Sequence, residues 1–164
     1  MQITNFRDMY IAELQELASM EGQLADALKR SADAASHSSL KDLFQMHRQE
    51  TLKQGDQVRS ILQEHGAGAQ THTDQSMQAL IAETEKMARI VQGGDLRDAG
   101  LIASAQKLEH YEIAAYGSAA ALAGQLDLRD DQAKLHAILE QERRADKLLS
   151  ELAKSKVNHD AATA

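Results

Sequence analysis

The sequence predicts an all-α fold, and three observations carry that expectation. None of the 164 residues is a proline, a residue that a turn-rich sheet protein needs repeatedly. Alanine (28) and leucine (20) far outnumber valine (3), isoleucine (8) and threonine (6), which is a helix-former's balance. Apolar residues recur at steps of three and four between a few small-residue or glycine-rich breaks. A chain of this size is one domain and buries roughly two-thirds of the surface its unfolded form exposes, so it folds without a disulfide or structural metal.

The breaks divide the chain. SADAASHSS (31–39), GAGAQTHTD (66–74), Gly93-Gly94-Asp95 and the stretch 124–127 delimit helices over about 4–30, 38–65, 75–92, 98–123 and 128–156. Residues 1–156 form the single domain, and 157–164 read as a flexible tail. Short connections make antiparallel hairpins of the first two and last two helices. Roughly thirty residues, including the short helix 75–92, separate the hairpins, enough at ~1.5 Å per helical residue to run the length of a bundle. The expected architecture is therefore a four-helix bundle of two hairpins joined by a long crossover.

Composition also excludes. With no cysteine there is no disulfide, thiolate catalysis, iron–sulfur cluster or cysteine-ligated zinc. A net charge of −7 and 3% aromatic residues argue against a nucleic-acid partner. The chain has no signal-peptide pattern and no apolar run near ~18 residues, so a cytoplasmic protein with no membrane partner is expected. Neither a glycine-rich phosphate loop nor a Ser/His/Asp set emerges, which leaves nuclease, transferase and nucleotide-binding roles without support.

Acids interrupt the apolar seams. The first helix runs Ile3, Phe6, Tyr10, Leu14 and Leu17, then Glu21, then Leu24 and Leu28. The second runs Leu40 and Leu43, then His47, Glu50 and Gln54, then Val58 and Ile61. The fourth runs Leu101, Ala105 and Leu108, then Glu112, then Ala115, Ala119 and Leu122, with Glu109 one turn from Glu112. The last runs Leu128, Leu135 and Leu139, then Glu142 and Asp146, then Leu149 and Leu152. Glu21 and Glu50 lie 14 and 15 residues from a turn near 35, and Glu112 and Glu142 each lie 15 from a turn near 127. Each pair therefore stands at equal height, about 20 Å from its turn. Carboxylates sharing an apolar core stay ionised only with a cation, because each uncompensated buried charge costs several kcal/mol. The two remedies are shared protons, as a polar layer fixing helix register, or bound divalent metal.

Around those glutamates the segments MEGQL, HRQET, AQKLEHYEIAAYG and EQERRADKLL resemble the YciF/YciE group of ferritin-like bacterial proteins, over nearly the whole chain. The resemblance implies a ferritin-like four-helix bundle, a homodimer, a di-metal site and an association with stress responses. The sequence departs from the wider ferritin-like pattern of Glu-x-x-His on the second and last helices. Here the corresponding positions are Lys53 and Ala145, while His47 precedes Glu50 by three and Asp146 follows Glu142 by four.

The leading expectation is a metal-binding protein holding two divalent ions, iron or manganese, bridged by Glu50 and Glu142 and flanked by Glu21 and Glu112. A small oxidant, dioxygen or peroxide, is the partner if the pair is redox-active. His47 is a ligand or a core histidine hydrogen-bonded to a carboxylate. Glu109 and Asp146 are ligands or solvated flanking residues, and Gln54 supports a ligand. Tyr111 and Tyr116 read as packing. His37, His65, His72, His136 and His159 read as surface, and Met9, Met20, Met46, Met77 and Met87 as core filler. The alternative is a non-enzymatic structural or interaction bundle whose acid layer only sets register.

Overall fold

A computed structural model describes residues 2–68 and 72–163, and every regular element in it is helical. Residues 69–71 of the second expected break and Ala164 of the tail lie outside the described residues. Helix α1 spans Phe6–Ala34 and α2 spans Ser38–Glu64. The crossover helix α3 spans Gln75–Ile90, and α4 and α5 span Gly94–Gln125 and Arg129–Leu152. A π-helical turn, Ala153–Val157, leads into α6, Asn158–Thr163. The segment expected to fray from 157 thus continues as helix, anchored by Val157, which is buried.

Capping fixes several of the boundaries. The side chain of Asn5 accepts the amide of Asp8 at 2.9 Å and starts α1, leaving Ile3 outside the helix and exposed. Phe6 and Met9 also stay exposed, so the apolar seam of α1 begins at Tyr10 rather than at Ile3. Asp74 caps α3 through the amide of Met77 at 2.9 Å. Helix α2 stops where Gly66 enters the left-handed region at φ 68°, letting the amide of Ala67 return to the carbonyl of Leu62 at 2.9 Å.

Two sets of contacts orient the bundle. At one end Asp98 of α4 accepts the amides of Ser36 and His37, at 2.8 and 2.6 Å, so the α1–α2 turn sits beside the start of α4. At the other end Asp131, in the first turn of α5, accepts the Tyr10 hydroxyl at 3.0 Å and lies 2.6 Å from His65 Nε2. The start of α1, the end of α2 and the start of α5 are thereby stapled together. The helices α1, α2, α4 and α5 run up, down, down and up, and α3 starts at mid-height, where Asp74 meets Ser19, Gln23 and Tyr111, and packs on α1 and α4. This is the two-hairpin, long-crossover topology of the ferritin-like bundle. Tyr10, Leu14, Leu17, Leu24, Leu40, Phe44, Val58, Ile61, Leu101, Tyr116, Leu135 and Ile138 belong to one continuous core. At ~25 cal/mol per Å² its burial is the main force holding the helices together.

Candidate metal centre

Halfway along the bundle that core turns polar. Glu21 from α1, His47 and Gln54 from α2, Glu109 and Glu112 from α4 and Glu142 from α5 are all buried, none more than 4% exposed. Gly55 allows the close approach of α1 and α2 here, since a Cβ at that position would lie 3.2 Å from Glu21 Cβ. One ligand atom from each of His47, Glu109, Glu112 and Glu142 lies within 4.8 Å of the others. None of the wholly buried polar residues among the described ones is a lysine or an arginine.

The contacts within the cluster are incomplete. His47 Nε2 approaches Glu109 Oε1 to 3.1 Å and Glu142 Oε2 to 3.7 Å, out of alignment for a good hydrogen bond. Gln54 Nε2 donates to Glu142 Oε1 and, at 2.9 Å, to Gln141 Oε1. The Tyr116 hydroxyl donates to Glu21 Oε1. Both oxygens of Glu112, Oε2 of Glu21, Glu109 and Glu142, and Oε1 of Gln54 are buried with no hydrogen-bond partner among the described residues. An unpartnered buried polar atom costs about 1–3 kcal/mol, more when charged, and native proteins contain few.

Protonation follows from this crowding. Burial, only partly offset by the Tyr116 hydroxyl and His47, pushes the Glu21 carboxyl up to about 8. Burial, with His47 opposing and Glu109 and Glu21 adding, pushes Glu142 up to about 9. Glu112 rises well above the usual carboxylate range through burial and then the charges of Glu142, Glu109 and Glu21. Burial works against a protonated His47, but the Glu109 carboxylate, with Glu50 and Glu142, holds it well above its ordinary value. Without a cation the cluster therefore tends to gather protons.

The remaining expected residues fall around this centre. Glu50 is half-buried at its edge, its Oε2 3.7 Å from His47 Nδ1, and that imidazole holds its carboxyl below the usual range. Asp146 stands off the cluster, accepting from Gln106 Nε2 at 3.1 Å and lying 3.6 Å from His110. Glu109, by contrast, belongs to the innermost group. The tyrosines do more than pack: Tyr116 is fully buried against Glu21, and Tyr111 donates to Asp74 Oδ2 at 2.9 Å. His65 is no surface residue but part of the staple at the bundle end. Met20 and Met77 fill the core as expected, whereas Met9 and Met46 are exposed, at 39% and 46%.

The residues present could hold a metal ion. Several carboxylate oxygens and one imidazole, buried and short of partners, make an oxygen-rich, nitrogen-poor donor set. No helix among the described residues is long and apolar enough to cross a membrane.

Known proteins share both sequence and fold with this chain. Protein YciF of Escherichia coli (strain K12) is 36% identical over 162 residues, spanning 98% of each chain. The crystal structure of that stress protein matches with a TM-score of 0.90, over 95% of this chain and 99% of its own. YcfI of Rhodopseudomonas palustris, proposed as a structural protein, matches with a TM-score of 0.87 at 28% identity, over 91% and 95%. A protein of Xanthomonas campestris pv. campestris shares the fold, with a TM-score of 0.74 at 20% identity over 93% and 94%. The domain of unknown function DUF892 matches residues 5–162. With that domain spanning nearly its whole length, this chain belongs to the DUF892 family.

Proposed function

We propose that the buried acid–histidine cluster binds two divalent metal ions, iron or manganese, and that the protein acts through them in a stress response, as a cytoplasmic homodimer. One observation carries the reading: a core level holding four buried glutamates and a histidine, with buried oxygens that no group among the described residues satisfies. His47, Glu109, Glu112 and Glu142 are the innermost donors, with Glu21 beside them and Glu50 at the rim. Bound iron or manganese would supply one-electron redox chemistry toward dioxygen or peroxide.

The protein's own part is to orient and to exclude water. Gln54 holds one oxygen of Glu142 and leaves the other free, and Tyr116 does the same for Glu21. The aliphatic core above and below keeps the site dry, strengthening any charge interaction made there. Elemental mass spectrometry on chelator-free protein tests the reading, beside a Glu109→Ala/Glu142→Ala double variant. About two ions per chain, lost in the variant, is the expected result. No iron or manganese in either, even after anaerobic loading, overturns it.

A structural bundle is the second reading. The raised affinities of Glu21, Glu112 and Glu142 for protons favour it, since protonated acids form a neutral layer needing no ion. The structural role proposed for the Rhodopseudomonas palustris relative points the same way.

A further inference from the structure

The donors of the cluster divide into two unequal parts. His47, Glu109, Glu112 and Glu142 form a compact group, their ligand atoms within 4.8 Å of one another, and Glu21 is not a member. Yet Glu21 is 1% exposed, and its charge acts on both Glu112 and Glu142. Its two oxygens have different fates: Oε1 accepts the Tyr116 hydroxyl, while Oε2 is buried without a partner. Among the described residues the phenol has no other acceptor, and it is itself completely buried. Glu112 has two unpartnered oxygens, one more than a single ion in the compact group requires.

From this division we propose that the two ions are inequivalent, and that Tyr116 is a positioning residue for the second. The inference rests on the metal-binding reading above. The first ion takes the compact group, whose donors need nothing from α1. The second depends on Glu21 Oε2, and Tyr116 keeps that oxygen available by holding its twin. Without the phenol the Glu21 carboxylate loses the one side-chain hydrogen bond it has among the described residues, and with it its orientation. A hydrogen bond to a carboxylate is among the stronger ones in a buried site, so its loss falls on the second ion alone.

Equilibrium dialysis of metal-free protein against Mn²⁺ alone tests this, with wild type, Tyr116→Phe and Glu21→Gln compared and folding checked by circular dichroism. Wild type is expected to bind two ions in separate steps. Tyr116→Phe is expected to leave the first step within about twofold and weaken the second by about tenfold to a hundredfold. Glu21→Gln, which leaves the phenol an acceptor and so keeps the core intact, is expected to keep the first ion and lose the second. A loss of packing alone would weaken both steps together. Both steps unchanged in the two variants, or both weakened alike, overturns the role of Tyr116, as does a wild type that binds only one ion. A wild type that binds no ion overturns the metal-binding reading itself.

Discussion

Two polar clusters in this bundle each combine carboxylate, imidazole and phenol, and they end in opposite states. At the end of the bundle Asp131 accepts the Tyr10 hydroxyl and lies 2.6 Å from His65 Nε2, while Arg7 reaches His65 Nδ1 at 3.1 Å. An arginine only donates, so Nδ1 accepts and the Nε2–H faces Asp131. The Tyr10 and His65 rings meet edge to face, 5.7 Å apart at 87°. One acid there is matched by two donors, and none of the polar side-chain atoms of Tyr10, His65 or Asp131 is left buried and unpartnered. In the middle of the bundle four buried glutamates share one imidazole, one phenol and one amide, and oxygens are left over. The first arrangement is complete as folded and holds three helix ends together. The second is complete only with protons or a cation, and that difference separates a structural polar cluster from a candidate binding site.

The comparison breaks most visibly at the staple. Asp131→Ala leaves the buried Tyr10 hydroxyl and the His65 Nε2–H without their acceptor, at about 1–3 kcal/mol for each orphaned donor. We expect urea unfolding to show a loss of about 3 kcal/mol, the same with or without metal ion. The core should respond the other way, to metal and not to truncation of the staple. Mn²⁺ at about 100 times its dissociation constant is expected to stabilise wild type by about 2.7 kcal/mol. In thermal melts this is a rise of roughly 5–10 °C for a chain of this size, reversed by a chelator.

A separate effect appears in the pH dependence of the metal-free protein. Carboxyls at about 8 for Glu21 and about 9 for Glu142, against an ordinary 4.5, bind protons more tightly folded than unfolded. Their contribution is complete below the unfolded value and is lost as pH rises through the folded ones. The urea midpoint of metal-free protein should therefore fall between about pH 5 and pH 9. Saturating Mn²⁺ should flatten that fall, because the ion takes the place of the protons. A midpoint insensitive to pH without metal would contradict the assignment of the core acids.

Much of this was legible in the sequence because it lay in helical periodicity. Glu21, Glu112 and Glu142 replace apolar residues on otherwise regular seams, and all three are buried. Glu50 shows where the reading failed. A seam of Leu40, Phe44, His47, Thr51, Gln54, Val58 and Ile61, in steps of four and three, is the face that α2 buries. Taking Leu43 and Glu50 instead of Phe44 and Thr51 rotated the expected face by one residue. The same slip on α4, stepping from Glu112 to Ala115 rather than to Tyr116, hid the phenol beside Glu21. The staple was not legible, because Tyr10, His65 and Asp131 come from three helix ends whose meeting depends on tertiary topology.

The most direct test of an unfinished core is the stability of Glu112→Leu against wild type, each with and without Mn²⁺. Without metal, replacing an unpartnered buried carboxyl by an aliphatic side chain is expected to stabilise the protein by about 1–2 kcal/mol. With saturating Mn²⁺ the order should invert, because the variant has lost a donor that the wild type uses. A variant less stable than wild type under both conditions would show that the Glu112 carboxyl supports the fold as it stands, and would contradict the account.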